Sequence, residues 1–235
     1  YVASESMKNS LLVGDFLIGN KAAYKIKTPN QIPFLRLSIP SFNIIEIKKP
    51  QRNDIVIFRL NEFLVGFDYS NKDLIKRIVA LPGEKFELKS GKIFINDIEI
   101  ENHFIYDKSN LIELNFGPIK LPKENDTIDI NPKNIKFWQP IINFENNGKF
   151  ISVEGTVITF KGKPIKNYII KQNYYLVLGD NITKSVDSRI FGLIPESTIE
   201  AKVEMIYLSL TPKADSPTSN FFERIRFNRL LKSIN

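Results

Sequence analysis

Leu74-Ile75-Lys76-Arg77-Ile78-Val79-Ala80-Leu81-Pro82-Gly83 is the stretch on which the reading of the chain turns. Apolar residues at 74, 75, 78 and 79, closed by a Pro-Gly turn signal, predict a short strand. Side chains alternate across a strand, so Leu74, Lys76 and Ile78 share one face while Ile75, Arg77 and Val79 share the other. Both faces are apolar enough to be buried. A lysine buried among Leu and Ile is costly when charged, and burial lowers its pKa towards neutrality, where the amine can act as a base. The alternative at this point is a lysine whose tip reaches out to water.

Composition bounds the answer. At 235 residues, 43% of them hydrophobic and 25% charged, the chain can bury a sizeable core. It has no cysteine, which removes disulfides and thiolate metal sites. Its one histidine, His103, stands in a polar stretch and is expected to be structural. No metal-binding arrangement and no cofactor motif appears, and no cofactor is expected. The net charge of +7 suits an anionic lipid surface or nucleic acid, among other readings. No apolar run is long enough to span a bilayer, which takes about 18 residues. The chain opens at Tyr1 rather than methionine, and is expected to be a fragment lacking an upstream part.

Along the chain, residues 11–19 read as a bent strand interrupted at Gly14-Asp15. Residues 26–52, with four prolines among apolar residues, read as an irregular extension with little regular structure. Asn53, suited to positive φ, precedes the strand Ile55-Val56-Ile57-Phe58. From Lys85 to Tyr175 short apolar segments alternate with Gly, Asn and Asp turns, a pattern that predicts strands throughout. The strand Tyr174–Leu178 ends in Gly179-Asp180-Asn181, and a last strand runs from Ala201 to Leu210. The end of the chain, with Phe227, Leu230, Leu231 and Ile234 at helical spacing among arginines, reads as a basic amphipathic helix. The fold class is mainly β.

Four blocks together resemble bacterial signal peptidase I, the serine–lysine protease family that removes signal peptides from secreted proteins. The family's Ser-x-Ser-Met-x-Pro-Thr-Leu-x-x-Gly-Asp stands here as residues Ser4 to Asp15. Its Gly-Asp-Ile-Val-Val-Phe stands as Asn53 to Phe58, and its Lys-Arg-Val-x-Gly-Leu-Pro-Gly-Asp as Lys76 to Glu84. Its Gly-Asp-Asn-x-x-x-Ser-x-Asp-Ser-Arg-x-x-Gly-x-Val-Pro stands as Gly179 to Pro195. The resemblance runs from residue 2 to about 210. It implies Ser6 as nucleophile and Lys76 as a neutral general base, with Ser185 hydrogen-bonding the amine. Ser4 would donate to the oxyanion. Asp187 and Arg189 would form a supporting ion pair, Asp180 and Ser188 would shape the same loop, and Met7 would line a substrate pocket. Ala3 and Asn9-Ser10 depart from the family's prolines and threonine, and Lys184 falls beside Ser185, where its ammonium is expected in solvent.

The implied architecture is a catalytic β core of residues 1–83 and 176–212, an inserted β domain at 84–175, and a tail at 213–235 ending in a short helix. The implied partners are signal peptides with small residues at the first and third positions before the cut, and a membrane lipid surface, with no nucleic acid. The implied location is the bacterial cytoplasmic membrane, catalytic part on the outer side, with the anchor missing from this chain. Two other readings compete. A soluble serine–lysine autoprotease of the repressor-processing kind would carry a helix-turn-helix or self-cleavage segment before the serine. A non-catalytic basic β module would bind lipid or nucleic acid through aromatic residues interleaved with cations, and would leave Ser6, Lys76 and Ser185 unexplained.

Overall fold

The computed structural model describes residues 1–27, 43–65, 72–101, 104–106, 114–213, 215 and 220–234. His103 and most of the proline-rich extension lie outside them.

A seven-stranded antiparallel sheet organises the chain. Its strands are β1 (Asp15–Asn20), β2 (Ile55–Arg59), β3 (Asp73–Ala80), β4 (Tyr174–Leu178), β5 (Ile194–Pro195), β6 (Ile199–Ser209) and β7 (Lys232–Ser233). They lie in the order β1-β6-β2-β3-β4-β5, with β7 on β6. Sequence neighbours are thus not always sheet neighbours, and both ends of the chain meet at β6. The stretch quoted at the outset is the central strand β3, pairing Val56 with Lys76 and Ile57 with Ile75. Its alternation is realised in packing. Leu74 and Ile78 join one apolar cluster with Val56, Phe58 and Val177, while Ile75 joins another with Met7, Leu11 and Ile55. Asn53 takes φ 71°, giving the reversal before β2.

Between β3 and β4 the chain leaves this sheet. Lys85–Lys89, Lys92–Ile95, Ile98–Ile100 and Phe116–Lys120 form a four-stranded sheet. Ile151–Glu154, Val157–Phe160 and Lys163–Pro164 form a three-stranded one. Their apolar side chains make one cluster that runs on into Val79, Ala80, Leu176 and Leu178 of the central sheet.

Three expectations are corrected. The segment read as strands throughout contains an 11-residue helix, Ile135–Glu145. Ile135, Ile141 and Ile142 are buried along it, a helical spacing that Pro140 obscures in the sequence by resembling a breaker. The Asn134 side chain bonds Asn131 and Asp129 at its start, so the helix is nucleated from the preceding turn. The extension has regular structure at its ends, where Lys25–Lys27 pairs with Asn43–Glu46.

The C-terminal stretch keeps only one helical turn, Phe227–Arg229, followed by strand β7. Arg226 and Arg229 point inward to the carboxylate of Asp15, and Leu231 takes φ 51°. Those inward contacts and the open edge of β6 outcompete helical hydrogen bonds. The face left outward is apolar, with Phe222 74% and Leu231 70% exposed.

Candidate active site

Three segments converge beside β3. Ser6 sits on a 3-10 turn, Glu5–Met7, that Met7 anchors by packing fully buried against Leu11, Ile55 and Val203. From β3, the Lys76 amine reaches this turn and lies 2.9 Å from Ser6 Oγ, donating its other short contact to the Ile75 carbonyl at 3.0 Å. Lys76 is 5% exposed and makes no ion pair among the described residues. Burial pushes its amine down to about 8, against the opposing pull of the Asp187 and Asp180 charges. Ser4 Oγ lies 3.2 Å from Ser6 Oγ.

The third segment runs from Gly179 to Arg189. Asp180 holds Arg77, the residue after Lys76, in a two-pronged ion pair with both contacts at 2.8 Å. Asp187, with no exposed surface, accepts from Arg189 Nε at 2.8 Å and from the Gly179 N–H at 3.1 Å. Ser188 Oγ accepts the Val177 N–H, tying the loop back to β4. The opposing charges of Asp187 and Asp180 are therefore taken up by Arg189 and Arg77, which leaves desolvation to dominate at Lys76.

Ser185 differs from expectation. Its hydroxyl is buried but has no hydrogen-bond partner among the described residues, and the Lys76 amine is engaged by Ser6 and Ile75. The loop approaches the same turn through Asn181, whose N–H donates to the Ser6 carbonyl at 3.0 Å. Lys184 points outward, as expected, and pairs with Glu5 at 2.5 Å. Met7 both packs in the core and lines the cleft over Ser6.

Four contributors escaped the sequence reading. Gly179 permits the closest approach: a Cβ there would fall 2.1 Å from Ser185 Oγ and 2.6 Å from the Ser6 carbonyl. Glu5 and Asn181 join the serine turn to the Gly179–Arg189 loop. Ser10 accepts from Arg77 at 2.7 Å, linking the serine segment to β3. The opposite charges of Glu5 and Lys184 were visible in the sequence, but nothing there said that residues so far apart are adjacent.

A cleft of about 130 Å³ opens over the pair, lined by Val2, Ala3, Ser4, Met7, Leu74 and Ile75 among others. A larger one, about 260 Å³, lies between the Ile135–Glu145 helix and Ser188–Phe191. It holds no pairing of a hydroxyl with a basic amine: Ser188 Oγ is spent on the Val177 N–H.

Comparison with known proteins identifies the family. The model of the family described as "Signal peptidase, peptidase S26" matches residues 1–208. The signal peptidase I of Buchnera aphidicola subsp. Schizaphis graminum is 31% identical over 242 residues, covering 95% of this chain and 72% of that protein. That of Haemophilus influenzae is 28% identical over 256 residues, covering 95% and 67%. A solved signal peptidase I from Enterococcus faecalis aligns with 67% of this chain and 98% of its own, at 22% identity and a TM-score of 0.33. The chain is accordingly a mainly β hydrolase of the peptidase class. It belongs to the signal peptidase family, peptidase S26, whose members remove signal peptides.

Proposed function

We propose that the chain cleaves signal peptides from exported preproteins by a serine–lysine acyl-enzyme mechanism at a membrane surface. The observation that carries this is the buried Lys76 amine, lowered to about 8 and 2.9 Å from Ser6 Oγ. A serine hydroxyl becomes a competent nucleophile only when an adjacent base takes its proton. Neutral Lys76 accepts the Ser6 proton as Oγ bonds to the scissile carbonyl carbon, and the carbonyl π pair moves onto oxygen. The Ser4 hydroxyl and the Ser6 N–H are the donors for that oxyanion. Collapse breaks the C–N bond, and the Lys76 ammonium returns the proton to the leaving amine. Water, deprotonated by Lys76, then attacks the ester carbonyl carbon; the C–O bond to Ser6 breaks, and Ser6 Oγ takes the proton back from the Lys76 ammonium. Asp180, Asp187, Ser188 and Arg189 fix the loop behind the amine.

Substrate specificity follows from space and edge. The cleft of about 130 Å³ is well below the roughly 300–1,000 Å³ of sites for drug-sized ligands. It suits small side chains at the first and third positions before the cut. From Asp73 to Lys76 the strand β3 pairs with β2, while its register with β4 begins only at Arg77. An extended peptide can add there through main-chain hydrogen bonds.

The outward apolar face of the C-terminal stretch, with the exposed Lys232 beside it, supports contact with a bilayer surface, which on this reading is the outer side of the cytoplasmic membrane. The topology supports a catalytic core of 1–83 and 176–212 with 84–175 inserted. The experiment is to incubate the chain, in detergent, with a preprotein and locate the cut by mass spectrometry. Ser6→Ala and Lys76→Ala should each abolish cleavage with the fold retained; full activity in either refutes the mechanism.

A further inference from the structure

The segment that carries Ser6 is held at its far end by the last residues of the chain, beyond the part that the family model matches. Asp15 closes that segment and has no exposed surface. Its Oδ2 accepts from the Leu12 N–H at 2.7 Å and from Arg229 Nη2 at 2.6 Å. Its Oδ1 accepts from the Ser209 hydroxyl at 2.6 Å and from Arg229 Nε at 3.2 Å. Burial raises the Asp15 carboxyl, but the hydrogen bonds from Arg229, Ser209 and Leu12 outweigh it and hold the group below its ordinary range. The carboxylate is therefore ionised in place and fixed by a guanidinium fork.

Arg229 reaches further. Its Nη2 donates to the Ser10 carbonyl at 3.0 Å, and Arg226 Nη2 donates to the Val13 carbonyl at 2.7 Å. The Ser10 hydroxyl, on its other side, is bonded by Arg77, which adjoins Lys76. The N–H groups of Ser10 and Leu11 return to the carbonyl of Met7, the residue after Ser6. Ser10 is thus gripped between an arginine of the tail and an arginine of the lysine strand. Space beside the segment is tight: a Cβ on Gly14 would fall 1.9 Å from the Leu210 carbonyl oxygen, just past β6, and 3.0 Å from Arg226 Nη2 of the tail.

We propose that Arg229, acting on Asp15 and Ser10, is a positioning residue for the peptidase reaction. It presses the Ser4–Asp15 segment against β3 and keeps Ser6 Oγ at Lys76 Nζ. This rests on Ser6 and Lys76 being the reacting pair. A purely structural tail would lower melting temperature and leave turnover of the folded enzyme unchanged. A positioning residue alters the chemistry at temperatures where the fold is intact, since small misplacements of reacting groups cost much in rate.

The test measures kcat, KM and the pH dependence of kcat/KM for Arg229→Met and Arg229→Lys in the full chain, below the melting temperature of each. Lysine keeps the charge but cannot make the fork. Expected for Arg229→Met is a fall in kcat of about tenfold or more with KM changed less than about twofold. The acid fall of kcat/KM should move to higher pH, because Lys76 loses part of the burial that opposes the Asp187 and Asp180 charges. Arg229→Lys should show the same changes in smaller measure. Asn228→Ala, on the same turn but exposed, should match the parent. A folded Arg229→Met with parental kcat and parental acid limb overturns the proposal. If that variant does not fold, the same result in Arg229→Lys overturns it. Activity surviving in Ser6→Ala, run alongside, would instead sink the serine–lysine mechanism itself.

Discussion

A lysine in the place of Lys76 lowers stability for as long as it carries charge. Its folded pKa of about 8 lies below the ordinary lysine value of 10.5. Between those values the unfolded chain binds more protons than the folded one, so stability rises with pH across that window. Below about 8 the whole penalty stands, on the order of 3 kcal/mol from the size of the shift. Lys76→Met, similar in size and uncharged, should therefore be inactive yet more stable than the parent at pH 7. The gain should shrink as pH rises above about 8 and be gone near 10.5, which urea unfolding at a series of pH values would measure. A variant no more stable than the parent at pH 7 would mean that the amine is better solvated than its surroundings indicate. The same residue gives the pH dependence of activity: kcat/KM should fall with acid below about 8, where the base is lost.

At the scale of elements, three segments far apart in sequence must meet within a few ångströms, and Gly179 is where they come closest. An added methyl at Gly179 would meet Ser185 and the Ser6 carbonyl inside any tolerable contact distance. Backbone cannot move aside as a flexible side-chain tip can, so Gly179→Ala should push the serine turn off the lysine. Destabilisation of about 1–3 kcal/mol is expected, with a loss of kcat larger than the stability change accounts for. Calorimetry and turnover measured on the same sample would show it, and parental turnover would show that the loop has room to spare. The exposed Glu5–Lys184 pair joins the same two segments, but an ion pair open to solvent contributes little. Close packing at Gly179, rather than that charge pair, holds the turn.

For the whole molecule, the tail has an unusual polarity. Its arginines face the protein and its large apolar side chains face out, Phe221, Phe222, Phe227 and Leu231 all more than half exposed. Among the described residues no helix is long and apolar enough to cross a membrane. Attachment through this face would lie in the interface, where affinity scales with buried apolar area and attraction to anionic lipid. Phe222→Ser combined with Leu231→Ser should reduce sedimentation with anionic vesicles by roughly tenfold or more, while peptide cleavage in detergent stays at the parental rate. Equal vesicle binding by the double variant would place lipid contact elsewhere.

The residues alone marked out the mainly β class, the strand at 74–80 with its lysine, and the reversal at Asn53; the resemblance to the signal peptidase family supplied the serine that the structure brings to that lysine. These are written in local patterns: β-branched alternation, turn residues, and short motifs with fixed neighbours. Three-dimensional packing decided the rest. The helix at Ile135–Glu145 forms because a hydrophobic cluster receives its apolar side, which outweighs the local preference of Pro140. The tail stays unwound because Asp15, some 214 residues away in sequence, holds Arg229 more firmly than helical hydrogen bonds could hold the backbone. Where the Lys76 amine points was decided there too: it reaches Ser6 and the Ile75 carbonyl and not the Ser185 hydroxyl. And the fall in the Lys76 pKa depends on how much water is excluded and which charges are neutralised, quantities that exist only once distant segments have come together.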